Sequence, residues 1–349
     1  MKFLILAGGH GKRLWPLSDS KTPKQFQSFI GNKTLLQLTY DRLSKFGSEN
    51  IFISTNQRYK SLVLEQLPKI NENQVICEPE KRDNGPSVAV CMSYLKNLFG
   101  EEETVSISHA DHLVKNEIEF QEKLKLAHET SKKHNKFTIV QVKAKSANPN
   151  LGYVKIKDLF EKVNDSEIYT LEKFIEKPDQ KTAEKFLESY KYLWNTGYFV
   201  WPIKKFFEEL KTTNKDVFEL CETINNFQDF SDIYSKMPVI SIDYMLIEKV
   251  KPTEILIIPS DLGWSDIGTW QTLFEESPKD QDLNLIEGQV LSKNNQDTLI
   301  INKENNKQVV AFNLNDLTIV NTKDKILICP TKDAKDLKNY IKDLDNNLL

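Results

Sequence analysis

Apolar and polar positions follow two different periods along the first part of the chain. Short apolar runs, which are typical of buried strands, occupy residues 3–7, 51–54, 74–77, 104–108 and 137–142. Between these runs, apolar residues recur at helical spacing over residues 35–46, 59–67, 86–99 and 118–134. Strands that alternate with helices in this way predict βαβ units, and therefore an α/β fold with a mixed, mainly parallel sheet flanked by helices.

The pattern changes beyond residue 148. Strands are predicted at residues 152–156, 171–175, 194–201 and 254–258, and helices at 182–190, 203–210, 216–227, 241–250 and 264–275. Residues 278–284 have the composition of a linker, and short apolar segments then recur roughly every 8 to 12 residues, with polar turns between them. We therefore expect a large domain over residues 1–278 and a small β-rich domain with a closing helix over residues 285–349.

Composition excludes several classes of protein. The chain has 349 residues, of which 39% are hydrophobic and 28% charged, and its formal net charge is −3. This balance is typical of a soluble globular protein and gives no support for a broad nucleic-acid surface. The four cysteines form no CxxC pair, and no apolar segment approaches the ~20 residues that span a bilayer. We expect a cytoplasmic protein with no nucleic-acid or membrane partner.

A glycine-rich loop follows the first predicted strand, with three glycines in four positions at Gly8, Gly9 and Gly11. Glycine adopts positive φ easily and lets the backbone approach a ligand, and consecutive N–H groups in such a turn bind anions. Cationic residues accompany the loop, at Lys12, Arg13, Lys21 and Lys24. The sequence therefore predicts that this loop binds a polyphosphate.

The loop does not match two familiar phosphate-binding patterns. The dinucleotide pattern requires a third glycine three positions after Gly11, where this chain has Leu14. The P-loop requires Ser or Thr after Gly11 and Lys12, where this chain has Arg13. The chain is therefore neither an ordinary dinucleotide-binding dehydrogenase nor a P-loop protein.

Two aspartates lie at predicted strand-to-helix junctions, Asp111 in SHADHL and Asp266 in GWSDIG. Magnesium is commonly held by one or two carboxylates together with substrate phosphates, so this pair predicts a Mg²⁺ site. A helix N-cap role for Asp266 and a turn-stabilising role for Asp111 remain open on spacing alone. His109 and His112 flank Asp111, which makes a transition-metal site a weaker alternative.

Several segments, taken in order, resemble one enzyme family. The opening segment AGGHGKRLWPLSDSKTPKQF resembles the signature of sugar-1-phosphate nucleotidylyltransferases, and its LWPLS and PKQF parts are typical of the mannose-1-phosphate guanylyltransferase branch. The similarity continues in family order through GPSVAV, SHADHL, GYV, FIEKP, WNTGYF, IDYMLIEK and GWSDIGTW. It covers roughly residues 1–275, and the remaining part resembles more weakly the short left-handed β-helix of that branch.

The resemblance implies a Rossmann-like catalytic domain that transfers GMP from GTP to mannose 1-phosphate and releases pyrophosphate. It implies Mg²⁺ as the cofactor. Because the attacking phosphate is already an anion at neutral pH, we expect an in-line reaction without a covalent intermediate. The β-rich tail could cap the catalytic domain or build a homodimer, and the sequence leaves both arrangements open. Some relatives carry an additional isomerase module that is absent from this sequence, so we expect no isomerase activity.

Residue roles are also implied by the resemblance. The implied nucleotide-binding residues are Leu6, Ala7, Gly8, Gly9, Gly11, Lys12, Arg13, Glu78, Asn84, Gly85 and Pro86. The implied sugar-binding residues are Asp111, Gly152, Glu176, Lys177 and Asn195, with Lys177 holding the phosphate. Arg13, Lys24 and Lys177 are implied to be catalytic, and Asp111 and Asp266 to hold magnesium. On local sequence alone, Lys177 would be an ordinary solvated lysine.

The chain departs from the family pattern at two places. Asp19 stands where the family usually has Arg, and RDNGP at residues 82–86 stands where it usually has RNTAP. Another base or another sugar 1-phosphate therefore remains an alternative. A catalytically inactive, nucleotide-sugar-sensing subunit is a second alternative, against which stand the retained residues Arg13, Lys24, Asp111, Lys177 and Asp266.

Overall fold

The computed structural model describes residues 1–9, 12–189 and 191–342, which fall into two compact units. The first unit comprises Met1–Gly8, Thr39–Ala110 and Val114–Trp264. The second comprises Gly9–Leu38, Asp111–Leu113 and the chain from Ser265 onward. Neither unit is one continuous segment, and the predicted division of the chain near residues 278–285 stays a prediction.

Strands occur throughout the chain. In order they are β1 (Lys2–Leu6), β2 (Ile51–Asn56), β3 (Val75–Glu78), β4 (Thr104–His109), β5 (Leu113–Val114), β6 (Phe137–Lys143), β7 (Tyr153–Val163), β8 (Ser166–Ile175), β9 (Tyr192–Pro202), β10 (Ile255–Ser260), β11 (Trp264–Ser265), β12 (Leu285–Glu287), β13 (Val290–Lys293), β14 (Leu299–Asn302), β15 (Val309–Phe312), β16 (Leu317–Asn321) and β17 (Ile326–Pro330).

Helices alternate with the strands over the first half of the chain, as predicted. In order they are α1 (Leu35–Ser44), α2 (Lys60–Gln66), α3 (Asn84–Phe99), α4 (Glu117–His134), α5 (Gln180–Ser189), α6 (Ile203–Thr213), α7 (Lys215–Glu222), α8 (Ser231–Tyr234), α9 (Trp270–Glu276) and α10 (Leu337–Lys342).

One mixed sheet organises the first unit, with strand order β3-β2-β1-β4-β9-β6-β10-β8-β7. Strand β1 runs parallel to β2 and β4, whereas β9 is antiparallel to β4 and β6. Leu6, at the end of β1, lies opposite Ser54 and His109. The carboxyl ends of three parallel strands therefore meet at one edge, which is where ligands bind in such sheets. The predicted α/β fold is confirmed.

Aromatic packing fixes the middle of this sheet. Trp201 on β9 is fully buried, and its ring centroid lies 4.8 Å from that of Phe199 and 4.9 Å from that of Phe137. Phe206 on α6 stacks on the same indole at 5.7 Å. Because large rings bury much apolar surface, this cluster couples β6, β9 and α6. The packing of these rings therefore holds the middle strands of the sheet in place.

The second unit has its own apolar core. Leu14 and Leu17, which follow the glycine-rich loop, are buried with Trp270 of α9 and with Leu299 and Val320 of the C-terminal strands. The indole N–H of Trp270 donates to the carbonyl oxygen of Trp15 at 2.8 Å. The segment that follows the predicted phosphate loop is therefore anchored by packing.

The C-terminal strands form two small sheets, in which all neighbouring strands pair in parallel except β16 and β17, which are antiparallel. Val290 lies opposite Val309, and Leu299 lies opposite Thr318, so both pairs are separated by the same number of residues. The left-handed corner residues Asn294 and Asn313 follow the same interval, with φ of 54° and 56°. This repeat confirms the predicted strand-rich region, whereas its left-handed coiling stays a prediction.

Asparagine side chains link successive coils of this stack. The Asn321 amide nitrogen donates to Asn302 Oδ1 at 2.8 Å. The Asn302 amide nitrogen in turn donates to the carbonyl oxygens of Gln289 and Lys307 at 2.9 and 2.7 Å. These bonds join the turns of neighbouring coils through side chains, in addition to the main-chain pairing of the strands.

Three predicted helices differ in extent from the observed ones. The helix predicted at residues 216–227 ends at Glu222, and residues 241–250 contain a π-helical turn over Asp243–Ile247. The helix predicted from residue 264 begins only at Trp270, because Ile267 has φ of 41° and Thr269 provides the N-cap. Within the described residues, no helix has both the length and the apolar character that crossing a membrane requires.

Candidate active site

The glycine-rich loop begins at the carboxyl end of β1. The Ala7 amide donates to the carbonyl oxygen of Ser54 at 2.7 Å, which extends the pairing of β1 with β2. Gly9 has φ of +101°, and a Cβ built there would meet no atom within 4 Å. Glycine is therefore needed for the backbone conformation and not for close packing. Gly11 and the side chain of Lys12 lie outside the described part of the chain.

Lys24 joins the two predicted metal-binding aspartates in the second unit. Its ammonium nitrogen lies 2.8 Å from Asp111 Oδ2 and donates to the main-chain carbonyl oxygen of Asp266 at 2.9 Å. The Lys24 side chain is only 12% exposed, so its position is well defined. Residues that are far apart in sequence are thus brought into one cluster, which we call the Lys24 cluster: Lys24, Asp111, Asp266 and Arg13.

Arg13 reaches this cluster beside Gly268. A Cβ built on Gly268 would lie 3.0 Å from Asp266 Oδ2 and 3.4 Å from Arg13 Nη1. Thr269 is the N-cap of α9, since its hydroxyl oxygen accepts from the amide of Thr272 at 3.1 Å. The alternative that Asp266 is an N-cap is therefore excluded, and its carboxylate is left for another role.

The segment from residue 109 to 112 places metal-ligand atoms close together. One ligand atom from each of His109, Asp111 and His112 lies within 4.8 Å of the others, so these residues could hold a metal ion. These are the three residues that the sequence named as a weaker, transition-metal alternative, and the structure brings their ligand atoms together.

Asp19, at the first departure from the family pattern, stabilises a turn. Its Oδ1 accepts from the amides of Lys21 and Thr22, both at 2.8 Å. An aspartate in this position replaces main-chain partners that the turn lacks. The substitution therefore has a local structural explanation ahead of Lys24.

Glu78 ends β3 and accepts hydrogen bonds from three hydroxyl groups. Ser54 and Ser87 donate to Oε1 at 3.1 and 2.9 Å, and Tyr234 donates to Oε2 at 3.0 Å. Burial raises the pKa of Glu78 above its usual value, while the three hydroxyl donors oppose that shift. Gly8 lies beside the same group, since a Cβ there would be 3.9 Å from Glu78 Oε1.

Asn84 and Gly85 begin α3 and fix its position. Asn84 Oδ1 accepts from the amide of Ile242 at 2.8 Å, and the Gly85 amide donates to the carbonyl oxygen of Ile240 at 3.0 Å. A Cβ on Gly85 would lie 2.5 Å from that carbonyl oxygen, which explains glycine at this position. Pro86 follows in the first turn, where proline is tolerated, and is buried. The Asn84 side chain is thus engaged in a structural contact.

Four predicted sugar-binding residues come together in the first unit. A Cβ on Gly152 would lie 2.5 Å from Glu176 Oε2 and 3.4 Å from Asn195 Nδ2. The ammonium group of Lys177 lies 2.8 Å from Glu176 Oε1. Partial burial alone would lower the pKa of Lys177, but its bond to Glu176 raises the pKa above the usual value. Lys177 therefore stays cationic.

Sequence reasoning missed Asp243, which adjoins this group. Its Oδ1 accepts from Asn195 Nδ2 at 3.2 Å, and burial followed by the charge of Glu176 raises its pKa to about 7. Asp243 belongs to the segment IDYMLIEK, in which an acid within an apolar run was the available signal. Tyr234, which donates to Glu78, was also missed, and nothing in its local sequence marks it.

One protein-family model matches most of the chain. The family model described as nucleotidyl transferase matches residues 2–282, which is more than half of the chain. This chain belongs to the nucleotidyl transferase family. The predicted enzyme class, a nucleotidyltransferase, is confirmed by this match.

Two named relatives align with nearly the whole length of this chain. It is 32% identical over 355 residues to a Klebsiella pneumoniae protein named mannose-1-phosphate guanylyltransferase, with 99% of this chain and 74% of that protein covered. It is 31% identical over 352 residues to a Pseudomonas putida protein named alginate biosynthesis protein AlgA, with 98% and 71% covered.

A solved structure shows the same fold. The crystal structure of a Thermus thermophilus protein, described as a mannose-1-phosphate geranyltransferase, superimposes with a TM-score of 0.87 at 23% identity. The match covers 98% of each chain. The nucleotidyl transferase fold, including the C-terminal strands, is thereby supported independently of the sequence motifs.

Proposed function

We propose that this nucleotidyltransferase transfers GMP from GTP to mannose 1-phosphate, giving GDP-mannose and pyrophosphate. Relatives named for mannose-1-phosphate guanylyltransferase, at 32% identity, cover 99% of the chain and support this substrate pair. The observation that carries the proposal is the ammonium group of Lys24, which lies 2.8 Å from the Asp111 carboxylate and donates to the main-chain carbonyl oxygen of Asp266, while the Asp266 carboxylate lies beside Gly268 and Arg13. A cation and two carboxylates in one cluster are the groups that nucleotidyl transfer from a metal-bound triphosphate requires.

GTP is held, in this proposal, by residues 6–13 and residues 78–86. Main-chain N–H groups of the glycine-rich loop bind the phosphates, and Arg13 neutralises the β- and γ-phosphates that leave. Glu78 ends in a carboxylate whose orientation three hydroxyl groups fix. A fixed acceptor of this kind suits the N–H donors on the edge of guanine.

Mannose 1-phosphate is held, in this proposal, by the four residues that come together in the first unit. Lys177 binds its phosphate, because its ammonium group is charged and largely exposed. Gly152, Glu176 and Asn195 contact the sugar hydroxyl groups. A site that hydrogen-bonds a hydroxyl discriminates strongly against a sugar that lacks it, since buried polar groups would be left unpaired.

The residues present fit a divalent ion of the magnesium type. Asp111 and Asp266 offer carboxylate oxygens, which Mg²⁺ prefers. When bound, the ion would supply charge neutralisation for the triphosphate. His109 and His112 would favour a transition metal instead, so a titration with Mg²⁺, Mn²⁺ and Zn²⁺ distinguishes the two donor sets.

The proposed reaction needs neither a general base nor a covalent intermediate. A phosphate oxygen of mannose 1-phosphate attacks the α-phosphorus of GTP, the bond to the bridging oxygen breaks, and pyrophosphate leaves with that electron pair. The attacking phosphate is already an anion near neutral pH, because its second pKa is about 6. Arg13, Lys24 and Lys177 neutralise and position two anions that would otherwise repel each other.

The remaining expectations belong to the same proposal. We propose a cytoplasmic enzyme without nucleic-acid or membrane partners, a catalytic domain over residues 1–278, and a C-terminal β-helix-like domain over residues 285–349 that either caps the catalytic domain or builds a homodimer. Sedimentation velocity of the full chain, measured over a concentration series, tests the dimer directly.

A substrate matrix tests the proposed reaction. Pyrophosphate release should be measured for each of the four ribonucleoside triphosphates with mannose 1-phosphate, glucose 1-phosphate and a heptose 1-phosphate. We expect GTP with mannose 1-phosphate to give the highest kcat/KM. Higher turnover of another pair would refute the substrate assignment, and no release with any pair would favour a sensing subunit.

A further inference from the structure

Asp243 stands at the start of a π-helical turn that several main-chain bonds hold in place. The Glu248 amide donates to the Asp243 carbonyl oxygen at 2.9 Å, and the Met245 amide donates to that of Ser241 at 2.8 Å. The preceding residue, Ile242, is fixed by its bond to Asn84. The Asp243 carboxylate is therefore presented from a defined backbone.

The amide of Asn195 has a single orientation that satisfies its neighbours. Its Oδ1 accepts from Gln141 Nε2 at 3.2 Å and from the amide of Gly197 at 3.1 Å. Its Nδ2 donates to Asp243 Oδ1 at 3.2 Å. A flipped amide would set N–H groups against the donors of Gln141 and Gly197, so these three bonds fix the amide.

Hydrogen-bonding capacity then defines what Asn195 can offer a ligand. A carboxamide oxygen has two lone pairs, and both are engaged. The nitrogen has two hydrogens, and one is engaged by Asp243. The remaining N–H is a donor, and the neighbouring Glu176 carboxylate is an acceptor. A hydroxyl group, which accepts and donates at once, is the ligand group that this pair recognises.

Charge around Asp243 is partly balanced. Glu176 and Lys177 are the charged neighbours, and Lys177 is bonded to Glu176. Two bonded pairs, Asp243 with Asn195 and Lys177 with Glu176, thus lie close to each other in the first unit.

We propose that Asp243 is a positioning residue for sugar recognition, which fixes Asn195 as a donor to one hydroxyl group of a hexose 1-phosphate beside the Glu176 acceptor. The inference rests on the proposed function above for its ligand class. It assigns Asp243 an action through Asn195 rather than contact with the reacting phosphates.

Double-mutant binding measurements test this assignment. Mannose 1-phosphate is titrated calorimetrically into the full chain at pH 8, with and without Mg²⁺ and a GTP analogue that has a methylene α,β-bridge. We expect Asn195→Ala and Asp243→Ala each to raise the Kd roughly tenfold, the loss of about one hydrogen bond to a charged or substrate group. Because Asp243 acts through Asn195, the double variant should bind within about twofold of Asn195→Ala.

The conservative variant separates positioning from general stability. Asp243→Asn retains an acceptor for Asn195 and should keep the Kd within about threefold of the unmodified chain at pH 8. A protonated Asp243 also keeps one carbonyl oxygen that can accept from Asn195, so lowering the pH to 5.5 should change the Kd of the unmodified chain and of Asp243→Asn by similar factors. The Asp243→Asn variant is the control for pH, because the ligand phosphate, Glu176 and Lys177 are the same in both measurements. Melting temperatures establish that each variant is folded.

The outcomes distinguish this inference from the proposed function. Unchanged binding by Asp243→Ala, or full additivity in the double variant, overturns the role of Asp243. Absence of mannose 1-phosphate binding by the unmodified chain also overturns it. Asp243-dependent binding without pyrophosphate release from GTP upholds the inference and refutes the proposed reaction.

Discussion

The Lys24 cluster of the second unit is built differently from a set of residues in the first unit, which we call the Asn195 group: Asn195, Asp243, Glu176 and Lys177. In the former, side chains from distant loops meet as opposite charges, with Lys24 2.8 Å from Asp111. In the latter, Asn195 lies on a strand, and each of its amide atoms is committed to a neutral or charged partner. Charge pairs suit anions and metal ions, whereas oriented hydrogen bonds suit hydroxyl groups. The comparison therefore separates charge neutralisation from sugar selection.

Removing a charge from the Lys24 cluster should have the largest effect. Asp111→Asn keeps the side-chain shape but loses the negative charge that the proposed metal site requires and that pairs with Lys24, so we expect kcat to fall by at least about 100-fold. Steady-state rates over a magnesium titration measure this loss. Asp216→Asn, an exposed change on α7, is the matched control. Near-normal rates at saturating magnesium would show that Asp111 is not a metal ligand.

Lys177 should affect sugar-phosphate binding more than nucleotide binding. Lys177→Ala removes a charged hydrogen-bond donor that contributes about 1.5–3 kcal/mol, so the KM for mannose 1-phosphate should rise by roughly 10- to 150-fold. Initial rates with each substrate varied in turn give both KM values. A change confined to the KM for GTP would indicate that Lys177 binds the nucleotide and not the sugar phosphate.

Two glycine substitutions should give opposite signatures. Gly152→Ala places a Cβ 2.5 Å from the Glu176 carboxylate, the flexible end of a side chain, and should raise the sugar-phosphate KM about tenfold with little change in Tm. Gly85→Ala meets the main-chain carbonyl oxygen of Ile240 at 2.5 Å and should cost about 1–3 kcal/mol of stability. Thermal melts and kinetics on both variants check the contrast. A lower Tm for Gly152→Ala would mean that Glu176 cannot move.

The smallest effect concerns stability and pH. The folded-state pKa of Asp243 is raised to about 7, so the stability that this group contributes is present below about pH 4 and is lost as the pH rises through 7. Asp243→Asn removes this titration. Its Tm advantage over the unmodified chain should therefore grow by on the order of a few degrees between pH 4 and 7, and then level off. An advantage that is independent of pH would contradict the ionisation of Asp243.

The sequence predicted the parts that depend on local pattern. Hydrophobic periodicity located β1, β4 and α4, and the left-handed conformation of Gly9 follows from a turn that glycine alone adopts easily. Local pattern failed where a single backbone angle intervened. Ile267 has a positive φ, which no apolar run reveals, and it delays the start of α9 to Trp270.

The candidate site residues were assigned from family motifs and not from local physical patterns. The hydrogen bonds that connect these residues could not be predicted from the sequence. Asn195 was expected to contact sugar, yet its orientation depends on Gln141 and Asp243, which are 54 and 48 residues away in sequence. Likewise, Asn84 was assigned to the nucleotide, but its side chain holds the segment at Ile242. Long-range partners of this kind follow from topology, which composition and spacing do not contain.

The most direct test of the proposed transfer is to follow GTP, mannose 1-phosphate and Mg²⁺ with the enzyme by phosphorus NMR, leaving out each component in turn. We expect GDP-mannose and pyrophosphate resonances to appear together, in equal amounts, only when all components are present. Release of pyrophosphate from GTP without the sugar phosphate, or hydrolysis to GMP in its place, would contradict direct transfer between the two anions.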